Sequence, residues 1–564
     1  MERRTLTLSN RIRSGDRVAG EPFASRSTVW GAHGAAATAH PLASLIAIDI
    51  LRGGGSAVDA GIAANAALGF LEPIACGIGG DAFAMVWDPK VGKLAGLNGS
   101  GRSPRSLSLE TQRMRARDGF IRPVGAVTVS TPGAVDAWWE LHQQYGRLPW
   151  ADLFAPAIDL AARGAPVAQT VAHYLDVSLR SFAKPGRGIE EIDNAQATWA
   201  PDGSTPAEGE VFANAALART YRLIAAGGRD AYYEGEIAEV IDAYFRRIGG
   251  WLSKADLAAH HAEWVEPRSV NYRGVDVWAL PPNSQGLSTL QILNILENFD
   301  VRGAGFQTAA SLHLQIEAKR LAFEDRARRF ADPDFADIPI EWLISKTYAA
   351  ERAALIRPGA ILDRVFPGEA PGHGDTTYLC VADKDGMMVS LIQSNFRGMG
   401  SGLCPDGLGF MFQNRGELFS LRDSDANLYA PGKRPFQTII PGFATRGGEP
   451  WLAFGVMGGD MQPQGQAQMI LNLVDYDLGL QAAGDAPRWR HEGSPEPTGA
   501  PGQGQGRVHL ESGVPEAARR GLADLGWTFG PTDGGFGGYQ AIQRWPGRYA
   551  AASEMRKDGA ALAY

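Results

Sequence analysis

Apolar positions along the chain switch repeatedly between the spacing of a helix face and the alternation of a strand. From residue 34 to 70 the chain is alanine-rich with a helical pattern. Within it, Leu51-Arg52-Gly53-Gly54-Gly55 stops one helix and Ser56 is placed to cap the next, over 57–70. A glycine-rich loop, Gly77-Ile78-Gly79-Gly80-Asp81, leads into an apolar run at 82–87 that reads as a strand. Residues 133–250 alternate helical stretches and turns, with helices expected at 134–145, 150–162 and 215–224. A strand at 275–279 precedes a turn at 281–286 and a helix at 287–297. The clearest helix spans 308–331. Leu312, Ile316, Leu321 and Phe330 supply its apolar positions, and Lys319, Arg320, Arg326, Arg328 and Arg329 predict a solvated charged face. Residues 1–30 read as a loose arm.

The pattern fails over 332–375. Asp332-Pro333, Pro358-Gly359, Pro367-Gly368 and Pro371-Gly372 cluster there and predict an exposed linker, ending in His373-Gly374-Asp375. The texture then changes sharply. Residues 376–382 are β-rich, Asp385-Gly386 is a hairpin signal, and 388–394 is the returning strand. A flexible loop therefore runs straight into a strand whose first two residues are Thr376 and Thr377.

Composition narrows the class. With 564 residues, the chain forms several domains or one large layered unit. It is 45% hydrophobic and 21% charged, ordinary for a globular protein. A net charge of −8 argues against general attraction to nucleic acid or to an anionic membrane. No run approaches the ~20 apolar residues of a membrane helix. The basic N-terminus lacks the apolar core of a secretory signal, so a cytoplasmic location is expected. Cys76, Cys380 and Cys404 are odd in number and widely spaced, which reads as buried thiols rather than disulfides or a zinc site. The spacing of Gly77, Gly79 and Gly80 fits neither a dinucleotide fingerprint nor a P-loop.

The junction at Thr376 carries the candidate chemistry. A threonine hydroxyl is a weak nucleophile until a base takes its proton. When threonine is the first residue of a chain, its own α-amine stands beside the hydroxyl and titrates near 7.7–8.0 in unperturbed form. That amine then serves as base. An internal threonine must first be released by attack of its hydroxyl on the preceding carbonyl, here that of Asp375, followed by hydrolysis of the resulting ester. Gly458 and Gly459, after an apolar strand at 451–454, expose backbone N–H groups suited to a developing oxyanion. Such chemistry requires no metal or organic cofactor.

Many separate blocks, in order, resemble the γ-glutamyltransferase family of N-terminal nucleophile hydrolases. They include Gly53-Gly54-Gly55-Ser56-Ala57-Val58-Asp59-Ala60, Glu72-Pro73 with Gly77–Asp81, Tyr145-Gly146-Arg147-Leu148-Pro149 and Pro281-Pro282-Asn283-Ser284-Gln285-Gly286. They continue through Asp375-Thr376-Thr377-Tyr378, Lys433-Arg434-Pro435, Gly458-Gly459 and Ala486-Pro487-Arg488. The resemblance implies an α+β fold, a four-layer αββα sandwich. It implies cleavage between Asp375 and Thr376 into a large subunit (1–375) and a small subunit (376–564) that stay together, with a homodimer of that pair left open. Thr376 then corresponds to the nucleophile, Ser394 to its supporting hydroxyl, and Gly458 and Gly459 to the oxyanion hole.

The sequence departs from the family around the substrate. Ser100 stands where an Arg grips the α-carboxylate of a γ-glutamyl group. Gln437-Thr438 replaces a Ser-Ser pair, Phe396 an Asn, and Arg415, after Asn414, a Gln. In the acidic pair only Glu417 remains, with Leu418 beside it. The segment between Phe419 and Lys433 is short, so any lid is reduced. Arg102, Arg397 and Arg415 become candidates to hold a substrate carboxylate bidentately. The expected activity is hydrolysis of a small carboxylate-bearing amide, oxamate-like, through an acyl-enzyme. Glutathione hydrolase or transpeptidase, β-lactam side-chain acylase and an unprocessed homologue are the alternatives.

Overall fold

The computed structural model describes residues 24–362, 375–532 and 534–564. Its centre is a pair of seven-stranded antiparallel sheets. In the first, the order is Ala560–Ala563, Ala35–Thr38, Asp375–Ala382, Met388–Phe396, Asp81–Asp88, Lys93–Gly99 and Glu263–Val265. In the second, it is Val29–Gly31, Arg548–Ser553, Tyr539–Trp545, Glu449–Val456, Gly442–Arg446, Val275–Ala279 and Arg268–Tyr272.

The two-residue period of the strand Asp375–Ala382 explains the layering. Leu379 and Val381 point outward, into a core shared with the helices Ala57–Leu71, Ala134–Tyr145 and Trp150–Arg163. Tyr378, Cys380 and Ala382 point inward and meet Phe443, Ala453 and Ile542 of the opposite sheet. Both faces are covered, so the strand is apolar from Tyr378 to Ala382 rather than alternating. Gly455 is glycine because a Cβ there would lie 2.5 Å from the Tyr378 ring. Helices Gly286–Leu296, Ala309–Arg329 and Met461–Val474 cover the other outer face. The result is the expected αββα sandwich.

Much of the local reading holds. Ser56 caps Ala57–Leu71 through a reciprocal bond with Asp59. The hairpin turns at Gly386, in left-handed backbone. All three cysteines are buried thiols outside any disulfide.

Four expectations need correction. Ala35–Thr38 is a strand, because pairing on both edges inside a sheet overrides the helix preference of alanine. Val29–Gly31, within the expected loose arm, is an edge strand. Ala309–Arg329 is not a solvated charged helix, since Lys319, Arg320 and Arg326 are buried. Each has partners distant in sequence or on its own helix: His491 and Ser494 for Lys319, Glu317 for Arg320, Asp460 and Glu496 for Arg326. The expected linker contains the short helices Ile340–Leu343 and Lys346–Ala353, the latter capped by Ser345. Pro367-Gly368, Pro371-Gly372 and His373-Gly374 lie outside the described residues.

In the loop at 77–81, Gly79 and Gly80 are required by close backbone approach. A Cβ on Gly79 would stand 2.0 Å from the Met411 carbonyl oxygen, and one on Gly80 2.5 Å from that of Ser394. Gly79→Ala should therefore cost about 1–3 kcal/mol or more. Urea unfolding reads this as a lowered midpoint with an unchanged slope.

Candidate active site

The hairpin pairs regularly except at its start. Asp375 opposes Phe396 and Thr377 opposes Gln393, so Thr376 alone faces two residues, Ser394 and Asn395. Such a bulge re-aims side chains out of the regular pleat. Thr376 Oγ1 donates to Ser394 Oγ at 3.3 Å, and Ser394 Oγ accepts the Phe396 N–H at 2.8 Å. Phe396 itself has φ of +77°, a costly conformation for an aromatic residue and one that clusters at functional sites. From the other side, Gln462 Nε2 donates to Thr376 Oγ1 at 3.4 Å. Thr376 and Ser394 are both buried.

Gln462 lies in the first turn of Met461–Val474, directly after Gly458 and Gly459. Both glycines adopt left-handed backbone, with φ of 113° and 56°. Their carbonyls accept from Met461 N and Gln462 N at 3.0 and 3.1 Å, which turns the oxygens into the helix. Among the described residues neither glycine donates its N–H to a protein acceptor. Gln285 braces this turn, with Nε2 donating to Gly459 O at 3.0 Å and to Thr438 O at 2.7 Å. Thr377 points away from Thr376, as alternation requires, and its hydroxyl donates to Glu72 at 2.5 Å.

A second polar group adjoins Ser394. Asp81 lies directly across the sheet from it. The Asp81 carboxylate accepts from Gln437 Nε2 at 2.8 Å and from Gly101 N at 3.2 Å. Burial pushes its carboxyl up to about 6, against the field of Arg415. Arg415 is fully buried; its Nη1 donates to Thr438 Oγ1 at 2.7 Å, while Nε and Nη2 have no partner. Its guanidinium sits 4.9 Å from the centre of the Phe396 ring. Burial lowers its affinity for its proton to about 10. A buried guanidinium with two idle donors is a ready site for a carboxylate.

The other candidates separate by their partners. Arg102 is engaged by Asp332 at 3.1 Å, Asp334 at 2.7 Å and Glu263 at 3.4 Å, which removes it as a carboxylate ligand. Arg397 is held by Glu417, itself left over from the acidic pair. Ser100 is buried in an amide network, donating to Asn98 Oδ1 at 2.7 Å and accepting from Asn283 Nδ2 at 3.1 Å. Asn414 braces loops, donating to Pro123 O at 2.7 Å and accepting from Arg397 N at 3.1 Å. Gln437, Thr438 and Phe396 surround the Asp81–Arg415 group. Sequence reasoning missed Gln462, Glu72 and Asp81. Gln462, Gln464, Gln466 and Gln468 form a run of buried glutamines after the glycine turn, an unusual signal that marks the helix start as polar and enclosed.

Residues 43–564 match the family model described as gamma-glutamyltranspeptidase. The chain belongs to that family. This gamma-glutamyltranspeptidase family member is 36% identical to the glutathione hydrolase-like YwrD proenzyme of Bacillus subtilis, over 80% of this chain and 83% of the relative. It is 32% identical to the oxamate amidohydrolase proenzyme of Klebsiella pneumoniae, over 94% and 98%. Among solved structures, the cephalosporin acylase from Bacillus halodurans superposes with a TM-score of 0.87 at 41% identity, covering 96% of this chain and 97% of that one. The chain is thus an enzyme, a hydrolase of the N-terminal nucleophile type, with relatives made as proenzymes.

The elevated Asp81 carboxyl has a stability consequence. An unfolded aspartate titrates near 3.9. Neutral Asp81 therefore favours the fold below that value, and the advantage is lost as pH rises through about 6. The full swing is about 3 kcal/mol. Asp81→Asn should abolish this component, seen as a flatter plot of unfolding free energy between pH 4 and 8.

Proposed function

We propose that this family member is an autoprocessing amidohydrolase in which Thr376, released by a cut after Asp375, attacks the amide of a small acyl group bearing a carboxylate, of the oxamate type. The observation that carries the reading is a convergence. The hydroxyl of Thr376 is held between Ser394 and Gln462 beside a glycine turn with two idle N–H groups. Within the field of Asp81, which lies across the sheet from Ser394, Arg415 offers two unpartnered donors in a buried position.

The steps follow from this geometry. In the precursor, Thr376 Oγ1 attacks the Asp375 carbonyl, the peptide bond becomes an ester, and water hydrolyses it. The freed α-amine then takes the Oγ1 proton as the hydroxyl attacks the substrate carbonyl. The N–H groups of Gly458 and Gly459 receive the oxyanion, the amine departs protonated, and water clears the acyl-enzyme. Fragments 1–375 and 376–564 remain one folded unit.

A γ-glutamyl substrate is disfavoured because its α-ammonium would meet Arg415, with Leu418 and Phe396 in place of polar partners. The oxamate amidohydrolase relative supports a small acid amide. The cephalosporin acylase neighbour supports a second reading, removal of a larger acyl side chain from a β-lactam. Parallel turnover of oxamate, γ-glutamyl-p-nitroanilide and an acyl cephalosporin separates these readings, with oxamate expected to lead.

Thr376→Ala should remain a single chain of 60.3 kDa on a denaturing gel and be inactive. Continued cleavage between Asp375 and Thr376 would sink the mechanism. Arg415→Gln should still process, but raise KM for a carboxylate-bearing amide by about 30-fold or more, as loss of one partner from a buried charge pair demands.

A further inference from the structure

Gln462 has a side-chain geometry that fixes its chemistry. One terminal atom lies 2.9 Å from the Ile440 N–H and must therefore be the acceptor, Oε1. The other, 3.4 Å from Thr376 Oγ1, is then the NH2 group, and it can only donate. The backbone N–H of the same residue binds Gly459 O at 3.1 Å, so the donor is locked to the glycine turn. Gln462 is fully buried, which strengthens any bond made to developing charge.

A donor aimed at Oγ1 does little for attack, where that oxygen must be electron-rich. It helps when Oγ1 is expelled. We propose that Gln462 is a catalytic residue of the ester-breaking steps, its amide stabilising Thr376 Oγ1 as that oxygen leaves the acyl carbon. The inference rests on Thr376 being the nucleophile. It applies first to processing. Water adds to the ester carbonyl of Asp375 and the bond from that carbon to Oγ1 breaks. The water oxygen stays on the new Asp375 carboxyl, and a water proton ends on Oγ1, with Gln462 Nε2–H bridging the charge between. Deacylation in turnover repeats the same bond changes with the substrate acyl group.

Processing tests this without knowledge of the substrate. In Gln462→Leu the ester should form but break slowly, about 10- to 100-fold below wild type. Full-length chain should accumulate that neutral hydroxylamine cuts at residue 375, leaving a hydroxamate on Asp375 detectable by mass. Wild-type processing speed, or an uncut chain that resists hydroxylamine, would overturn the proposal. Gln462→Glu covers the case in which the leucine variant fails to fold. It keeps an oxygen for Ile440 and restores a donor only when protonated. Its processing rate relative to wild type should rise about tenfold or more as pH falls from about 8 to 5, and a flat ratio overturns the proposal. Failure of the parent reading looks different: wild type would not cut at Asp375, or Thr376→Ala would still do so.

Discussion

The bulge at the start of the central hairpin is the constraint on which the site depends. A regular ladder would give Thr376 one partner and set its side chain in the pleat. Because Thr376 faces both Ser394 and Asn395, its hydroxyl meets the hydroxyl of Ser394 while Thr377 keeps the regular register. The irregularity is bounded on one side by the left-handed Phe396, whose N–H fixes Ser394, and on the other by the six paired residues Thr377–Ala382 of an enclosed strand. Strain at one residue is thus held by a rigid sheet, the arrangement expected where backbone strain serves function.

From that point two groups radiate with different duties. In the proposed function, Ser394, Gln462 and the glycine turn surround the attacking oxygen of Thr376 and serve bond cleavage. Asp81 lies across the sheet from Ser394, and in the proposed function it serves recognition together with Gln437, Thr438 and Arg415. Arg415 is the informative member. A buried guanidinium without an ion-pair partner of its own is expensive, and Asp81 reaches it through the field rather than a direct bond. In the proposed function a ligand carboxylate at Nε and Nη2 offsets that cost. In that proposal the arginine at 415 both disfavours a γ-glutamyl α-ammonium and supplies an anion site.

Features written in local sequence were legible. Ser56 with Asp59, the turn at Gly386 and the glycines at 458 and 459 each need only neighbouring residues to explain them. Features set by distant partners were not. The charges of Ala309–Arg329 look solvated until Asp460, Glu496 and His491 are brought against them. Ala35–Thr38 looks helical until two strands claim its edges. Arg102, Arg397 and Arg415 are equivalent as letters, and only the acids packed beside the first two distinguish them. Gln462 was hidden because a glutamine after a turn has no signature until its two terminal atoms are oriented.

The strand order has a consequence for a chain broken before Thr376. Ala35–Thr38, from the N-terminal piece, lies between Ala560–Ala563 and Asp375–Ala382, which come from the C-terminal side. The other sheet is likewise shuffled, with Val29–Gly31 at one border and Arg268–Tyr272 and Val275–Ala279 at the other, flanking strands from beyond residue 376. The two pieces are woven rather than docked. They have no interface that can open, so they part only by unravelling both sheets, and pieces made separately must fold around each other to regain the site.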